Sequence, residues 1–134
     1  GHGGSMGTLH ANSPLDEVNR LETLALMSEV ELPLHALRAQ ASSAIDVIVQ
    51  MSRQIGGRRL VTQISEVDPL GEDGYYRLRD IFTLQQTNAD EADKSLELAW
   101  AGNHSNMASQ LTPDHAARLP ETVRAVFGLE AAVG

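Results

Sequence analysis

The 134-residue sequence predicts an α/β fold, because helical periodicity in its first third gives way to the period of a β-strand in the middle. Apolar residues recur every three positions from Leu15 to Met27, with charged residues between them, which is typical of an amphipathic helix. From Ile45 to Met51, apolar and mostly β-branched residues occupy alternate positions, which favours a strand. Turn-forming residues then divide the following segment into further strands.

The N-terminal residues predict a strand followed by a capped helix. Residues 6–11 are partly apolar and follow a glycine-rich stretch, as expected of a buried strand that leaves a loop. Asn12 should end that strand, because Ser13 can cap a helix with its hydroxyl and Pro14 suits the first helical turn. A helix is therefore predicted to begin at Pro14, and a second one near Pro33.

The middle of the chain predicts three consecutive strands, over residues 46–53, 58–67 and 75–84. Gly56-Gly57 separates the first two, and residues 68–74 supply the second turn. Because strands joined by short turns pair with their sequence neighbours, this segment predicts an antiparallel meander.

The C-terminal third predicts a small appendage behind a subdomain boundary. Residues 86–93 are polar and acidic without apolar periodicity, which is typical of a linker and predicts a boundary near residue 89. Alternation from Leu96 to Trp100 predicts a short strand. Two short helices are predicted to begin near Pro113 and Pro120.

Composition and charge exclude several classes of function. The formal net charge of −8 opposes a nucleic acid partner, since neutralising phosphates takes clustered Lys and Arg. The chain has no Cys, which excludes disulfides and thiolate metal sites and fits a reducing compartment. No apolar run approaches the roughly 18–20 residues of a membrane-spanning helix, and no signal peptide is visible. We therefore expect a cytoplasmic protein without membrane insertion.

A compact motif lies at the start of the chain, where residues 1–14 read GHGGSMGTLHANSP. This segment resembles the histidine box of type II and type IV secretion ATPases, and it is most similar to that of the CpaF-like ATPases of Tad pilus assembly. In that family a Gly-His pair precedes a Thr-Leu-His-Ala-Asn-Ser-Pro strand and turn. His2 and His10 hold the two histidine positions here.

Weaker matches to the same family follow in order at residues 20–24, 32–34, 43–49 and 58–59, so that the resemblance covers about residues 1 to 84. It implies the C-terminal half of a RecA-like P-loop ATPase core over residues 1–88. Residues 89–134 would then form a short C-terminal appendage, onto which no family property is carried over.

The resemblance also implies a function. ATPases of this family form hexameric rings that hydrolyse ATP with Mg²⁺ and move an inner-membrane platform protein, so they are cytoplasmic and peripheral at that membrane. By this resemblance His10 lies near the γ-phosphate and His2 braces the same loop, both as catalytic residues. His10 and Thr8 would contact the nucleotide, and no metal ligand is predicted. Donors placed around the developing charge suit phosphoryl transfer.

A phosphate loop is missing from this sequence. Such a loop needs Gly-x-x-x-x-Gly-Lys followed by Ser or Thr, but the sole lysine, Lys94, has no glycine near it. In the family, that loop and the acidic segment that positions magnesium lie upstream of the histidine box. We therefore expect a motor fragment that hydrolyses no ATP alone. An unpaired strand edge at residues 6–11 would favour self-association.

A second class of function stays open: a non-catalytic interaction or regulatory domain with an ATPase-like scaffold and no nucleotide chemistry. The missing phosphate loop favours this alternative, whereas the two histidines favour the motor. A size-exclusion measurement showing a clean monomer would also favour a complete, independent domain.

The arginines of the predicted strands have two interpretations, whereas the remaining carboxylates and histidines have one. Arg58-Arg59, Arg77 and Arg79 can face a partner or a phosphate across a subunit boundary, or lie on solvated strand faces beside acidic residues. The carboxylates at Asp46, Glu66 and Asp80 lack a partner at the spacing of a catalytic pair. Three further histidines are expected at ordinary surface or half-buried positions: His35, His104 and His115.

Overall fold

The computed structural model describes residues 4–28, 31–87 and 95–129. Its helices and strands follow one another in the order helix, helix, four strands, a short 3₁₀ helix and two short helices. Their bounds are α1 Pro14–Leu26, α2 Leu34–Ala44, β1 Val47–Arg53, β2 Arg59–Asp68, β3 Arg77–Gln86, β4 Leu96–Trp100, the 3₁₀ helix Asn106–Gln110, α3 Pro113–Arg118 and α4 Glu121–Val126.

The helix α1 begins where its capping residues predict. The Ser13 hydroxyl accepts a hydrogen bond from the Asp16 amide at 3.1 Å, and the Asn12 amide donates to the Asp16 carboxylate at 3.0 Å. Asp16 and Glu17 place negative charge at the positive end of the helix dipole. The predicted helix start at Pro14 is confirmed, as is the second helix after Pro33.

The strands form one antiparallel sheet in the order β1-β2-β3-β4, which confirms the predicted meander and the short strand after residue 95. Gly56 and Gly57, both with positive φ, close the turn between β1 and β2. The pairing register shifts between Gln50 and Met51 on β1, and between Ile64 and Ser65 on β2. Such bulges increase the local twist of the sheet.

The hydrophobic core lies between the sheet and the first two helices. Val18 of α1 is fully buried and packs with Ile48 of β1 and Tyr76, which precedes β3. Five half-buried residues surround this centre: Ala41, Ile45, Val67, Leu70 and Leu78. Val18 therefore anchors α1 against β1, whereas three other residues of its predicted apolar stripe are exposed: Leu15, Leu24 and Met27.

The predicted strand at residues 6–11 is wrong. These residues have no regular secondary structure in the described part of the chain, and the Met6 side chain is 99% exposed instead of buried. A strand is stable only when a neighbouring strand satisfies its backbone groups, and none of the described strands runs beside this segment. A side-chain contact holds it instead: Gln50 Nε2 donates to the Ala11 carbonyl at 3.1 Å.

The residues after 95 extend the same sheet. β4 pairs with β3, so that Trp100 lies opposite Phe82 and Leu98 opposite Leu84. The predicted short helices are confirmed as α3 and α4. The predicted linker at residues 86–93 falls mostly outside the described residues, although β3 runs to Gln86. The boundary near residue 89 stays a prediction.

Candidate functional site

The histidine-containing segment lies on the surface immediately before α1. His10 and Thr8 are both exposed, and neither side chain forms a hydrogen bond or ion pair with another of the residues that the structure describes. His2 lies outside the described residues. The structure therefore places two of the three sequence-predicted site residues on one accessible segment, without bringing them to a catalytic partner.

Two sets of contacts position this segment. The Gln50 side chain holds the carbonyl of Ala11, the residue after His10. Asn12 and Ser13 then bond to the first turn of α1 through Asp16. Because both anchors follow His10 directly, the imidazole projects from a fixed point and can donate to an oxygen that a ligand or another chain supplies.

A row of polar side chains crosses the sheet from the same point. We call it the polar row, and its members are Gln50, Gln63, Ser65 and Asp80. Gln50 lies directly opposite Gln63 in the register of β1 and β2. Gln63 Nε2 and Ser65 Oγ each donate to Asp80 Oδ1 at 2.7 Å. The polar row therefore links the anchor of the histidine segment to β3.

The polar row was not predicted as a unit from the sequence. The sequence does contain a pattern that indicates a polar row. Gln50 and Ser52 alternate on β1, and Gln63 and Ser65 alternate on β2, so each pair lies on one face of its strand. Asp80 was predicted to have no catalytic role, and the structure shows its carboxylate accepting hydrogen bonds from neighbouring strand residues. Within the described ranges no group of three or more His, Asp or Glu side chains is placed to hold a metal ion.

A second group of contacts joins the C-terminal residues to the sheet. We call it the anchor cluster, and its members are Glu66, Asp68, Arg79, Ser105 and Asn106. Glu66 is only 5% exposed. Its carboxylate accepts one hydrogen bond from the Ser105 hydroxyl and another, of 2.8 Å, from the Asn106 amide. These bonds fix the start of the 3₁₀ helix against β2.

Arg79 supplies the positive charge of the anchor cluster. Its Nε donates to Asp68 Oδ2 at 3.1 Å, and its guanidinium lies 3.7 Å from the Glu66 carboxylate. It also donates to the carbonyl of His104. The hydrogen bond with Asp68 raises the pKa of Arg79. Of the two interpretations of this arginine, pairing with nearby acidic residues is confirmed.

The other arginines of the strands lie at the surface. Arg77 pairs with the Asp73 carboxylate at 2.6 Å, with both side chains about half exposed. Pairs of that kind contribute little to stability. Arg58 and Arg59 are exposed at the turn between β1 and β2.

A half-buried ion pair connects the two N-terminal helices. Arg38 Nε donates to Glu22 Oε2 at 2.8 Å, and its guanidinium also donates to the carbonyl of Gly74 at 3.2 Å. The same group lies 5.5 Å from the centre of the Tyr75 ring. The hydrogen bond from Arg38 lowers the pKa of Glu22, while burial raises the pKa of Tyr76. This contact ties α1 and α2 to the turn before β3.

None of the helices in residues 4–28, 31–87 and 95–129 is long and apolar enough to cross a bilayer.

Comparison with known proteins finds partial similarity. No protein-family model matches the chain. Two proteins from two strains of Mycobacterium tuberculosis, both named as candidate conjugal transfer proteins, are each 34% identical to it over 65 residues. The aligned residues make up 48% of this chain and 18% of each relative. The match thus spans less than a fifth of the length of these curated relatives.

Proposed function

We propose that the chain is part of a hexameric ATPase motor that powers type II or type IV secretion, or Tad-type pilus assembly. The observation that carries the proposal is the partial similarity to proteins named for conjugal transfer, a transport process of the same general kind. The exposed His10 segment, which resembles the histidine box of such motors, also supports it.

The described residues can supply only part of a nucleotide site. His10 and Thr8 offer accessible donors that fit a phosphoryl group, because nothing in the described part of the chain occupies them. Magnesium finds no comparable set of ligands there. ATP and Mg²⁺ would therefore be held mainly by residues outside this chain, and the fragment alone is inactive in this account.

In the proposed role, His10 donates to the terminal phosphoryl group and Thr8 contacts the nucleotide from the same segment. His2 would brace that segment. Since Gln50 holds the Ala11 carbonyl and Ser13 caps α1, the backbone that follows His10 is anchored before the nucleotide arrives. The imidazole itself would be oriented by the phosphoryl group that it contacts.

His10→Ala in the full-length protein tests this role, with His115→Ala as the matched control. His115 is an exposed histidine on α3, so its loss removes the same group from a distant surface. We expect His10→Ala to slow ATP hydrolysis by about 10²-fold or more, because the loss of one donor to a transition state has an effect of that size. Circular dichroism should show unchanged folding. Equal hydrolysis by the two variants would contradict the role of His10.

The non-catalytic alternative is favoured by the edge of the sheet. No described strand pairs with the outer side of β1, so the backbone groups along that edge are open, and the apolar side chains of Val47, Val49 and Met51 are exposed on one face of the same strand. The predicted open edge therefore lies at β1 instead of residues 6–11. Such an edge favours pairing with another chain. Partner or self-association without any nucleotide binding by the full-length protein would support this alternative over the motor.

A further inference from the structure

A cavity of about 390 Å³ lies between the end of β4 and α4. Its volume is near the lower end of the roughly 300–1,000 Å³ typical of small-molecule sites. The residues that shape it combine an indole, an imidazole and a guanidinium with a carboxylate at the rim: Trp100, His104, Arg124 and Glu121. These groups have no place in the proposed nucleotide chemistry.

Hydrogen bonds hold the two aromatic walls in fixed positions. Trp100 Nε1 donates to the Asn103 carbonyl at 2.8 Å. His104 Nδ1 lies 3.0 Å from the Ala125 carbonyl, which can only accept, so this nitrogen carries the proton. The centres of the two rings are 5.6 Å apart at a tilt of 50°. The cavity is therefore bounded by rings that are held by the backbone.

Arg124 brings an unused donor to the cavity. Its Nε atom is buried and has no hydrogen-bond partner in the described part of the chain. It also forms no ion pair there with Glu121, although both residues line the cavity. A buried donor without an acceptor is unfavourable, and native structures satisfy nearly all such groups. Because this atom is enclosed by the protein, a ligand in the cavity would meet the terminal NH₂ groups of the guanidinium, which also lack a partner among the described residues.

The end of α4 shapes the remaining wall. Gly128 has a φ of +65° and donates to the Ala125 carbonyl at 3.0 Å, which ends the helix in a left-handed turn. A β-carbon at Gly128 would lie 3.7 Å from His104 Nδ1, in ordinary contact with the ring. The turn therefore places Leu129 at the cavity, and Gly128 lies beside the His104 ring without a side chain to contact it.

We propose that this cavity binds a carboxylate carried by a flat apolar group. Guanidinium groups bind carboxylates through two parallel hydrogen bonds, and the guanidinium of Arg124 lines the cavity without an acidic partner among the described residues. The apolar ring would lie against Trp100, which lines the cavity and is 39% exposed. The ligand is either a free aromatic acid or the C-terminal carboxylate of a peptide that ends in an aromatic residue.

Trp100 is the only tryptophan of the chain, so its fluorescence reports directly on the cavity. We expect benzoate to change this fluorescence in a saturable way, whereas benzyl alcohol, which has the ring without the charge, binds at least tenfold more weakly. Arg124→Gln should weaken benzoate binding by a similar factor. Arg118→Gln, the same change at an exposed arginine of α3, should leave it unchanged.

Two further measurements distinguish a free aromatic acid from a peptide C-terminus and control for misfolding of the variants. A peptide that ends in phenylalanine with a free carboxylate should bind more tightly than benzoate if the partner is a protein terminus, and no more tightly if it is a free acid. Arg124→Lys keeps the charge, so partial binding by this variant would support the proposal even if Arg124→Gln unfolds. Equal binding of the acid and its uncharged amide, or no saturable response to benzoate or the peptide acid, would overturn it.

Discussion

Replacing Glu66 by glutamine should loosen the C-terminal residues from the sheet. The Glu66 carboxylate is almost fully buried and accepts hydrogen bonds from the Ser105 hydroxyl and the Asn106 amide. Both partners belong to the segment that follows β4. Glutamine has nearly the same shape but turns one acceptor oxygen into a donor, so one of these two partners loses its acceptor.

The size of the effect follows from that single mismatch. A hydrogen bond to a charged acceptor contributes about 1.5–3 kcal/mol, and an unsatisfied buried donor costs a similar amount. Arg79 keeps its hydrogen bond to Asp68 in this variant, so the substitution leaves no unpaired positive charge. We expect Glu66→Gln to lower the free energy of unfolding by about 2–3 kcal/mol, a considerable share of the roughly 5–15 kcal/mol that stabilises a domain.

Urea denaturation measures this loss, and Glu72→Gln provides the control. Glu72 is an exposed glutamate in the turn before β3, where the same chemical change should have no effect. For Glu66→Gln the unfolding midpoint should fall by on the order of 1 M urea. Trp100 fluorescence should change before the far-ultraviolet circular dichroism, because the C-terminal segment loosens first. Equal midpoints for the two variants would refute the role of the Glu66 contacts.

Two further predictions concern the N-terminal helices. Ser13→Ala removes the side-chain cap of α1 and should cost about 1 kcal/mol in urea denaturation, whereas Ser43→Ala, at an exposed helical site, should not. The Arg38 hydrogen bond holds the pKa of Glu22 below its ordinary value of 4.5, so its stabilisation is present above that pH and is lost as the pH falls through the lowered value. Glu22→Gln should therefore flatten the acid limb of the stability profile, and an unchanged limb would contradict this linkage.

Local elements were predictable because their signals lie close together in sequence. The Ser13 cap and Pro14 define the start of α1 within two residues, and Gly56-Gly57 defines the first turn. The strand predicted at residues 6–11 failed because its local pattern carries no information about a neighbour. A strand needs a partner, and that segment instead contacts the sheet through the Gln50 side chain.

The groups that connect distant residues were beyond prediction. Glu66 and Ser105 are 39 residues apart, and Arg38 and Gly74 are 36 apart, so no spacing rule relates them. The cavity beside Trp100 depends in the same way on how α4 packs. The exposure of His10 likewise departs from the buried strand predicted for residues 6–11, whereas the capped helix that follows it was predicted correctly.

The reading frame upstream of Gly1 in the source DNA tests the motor proposal most directly. The proposal predicts that the residues encoded there include a glycine-rich phosphate loop that ends in Lys followed by Ser or Thr. Such a loop would bind the phosphates of ATP, which the histidine segment cannot do alone. A frame that contains no phosphate loop would contradict the motor and leave the non-catalytic interaction domain as the better account.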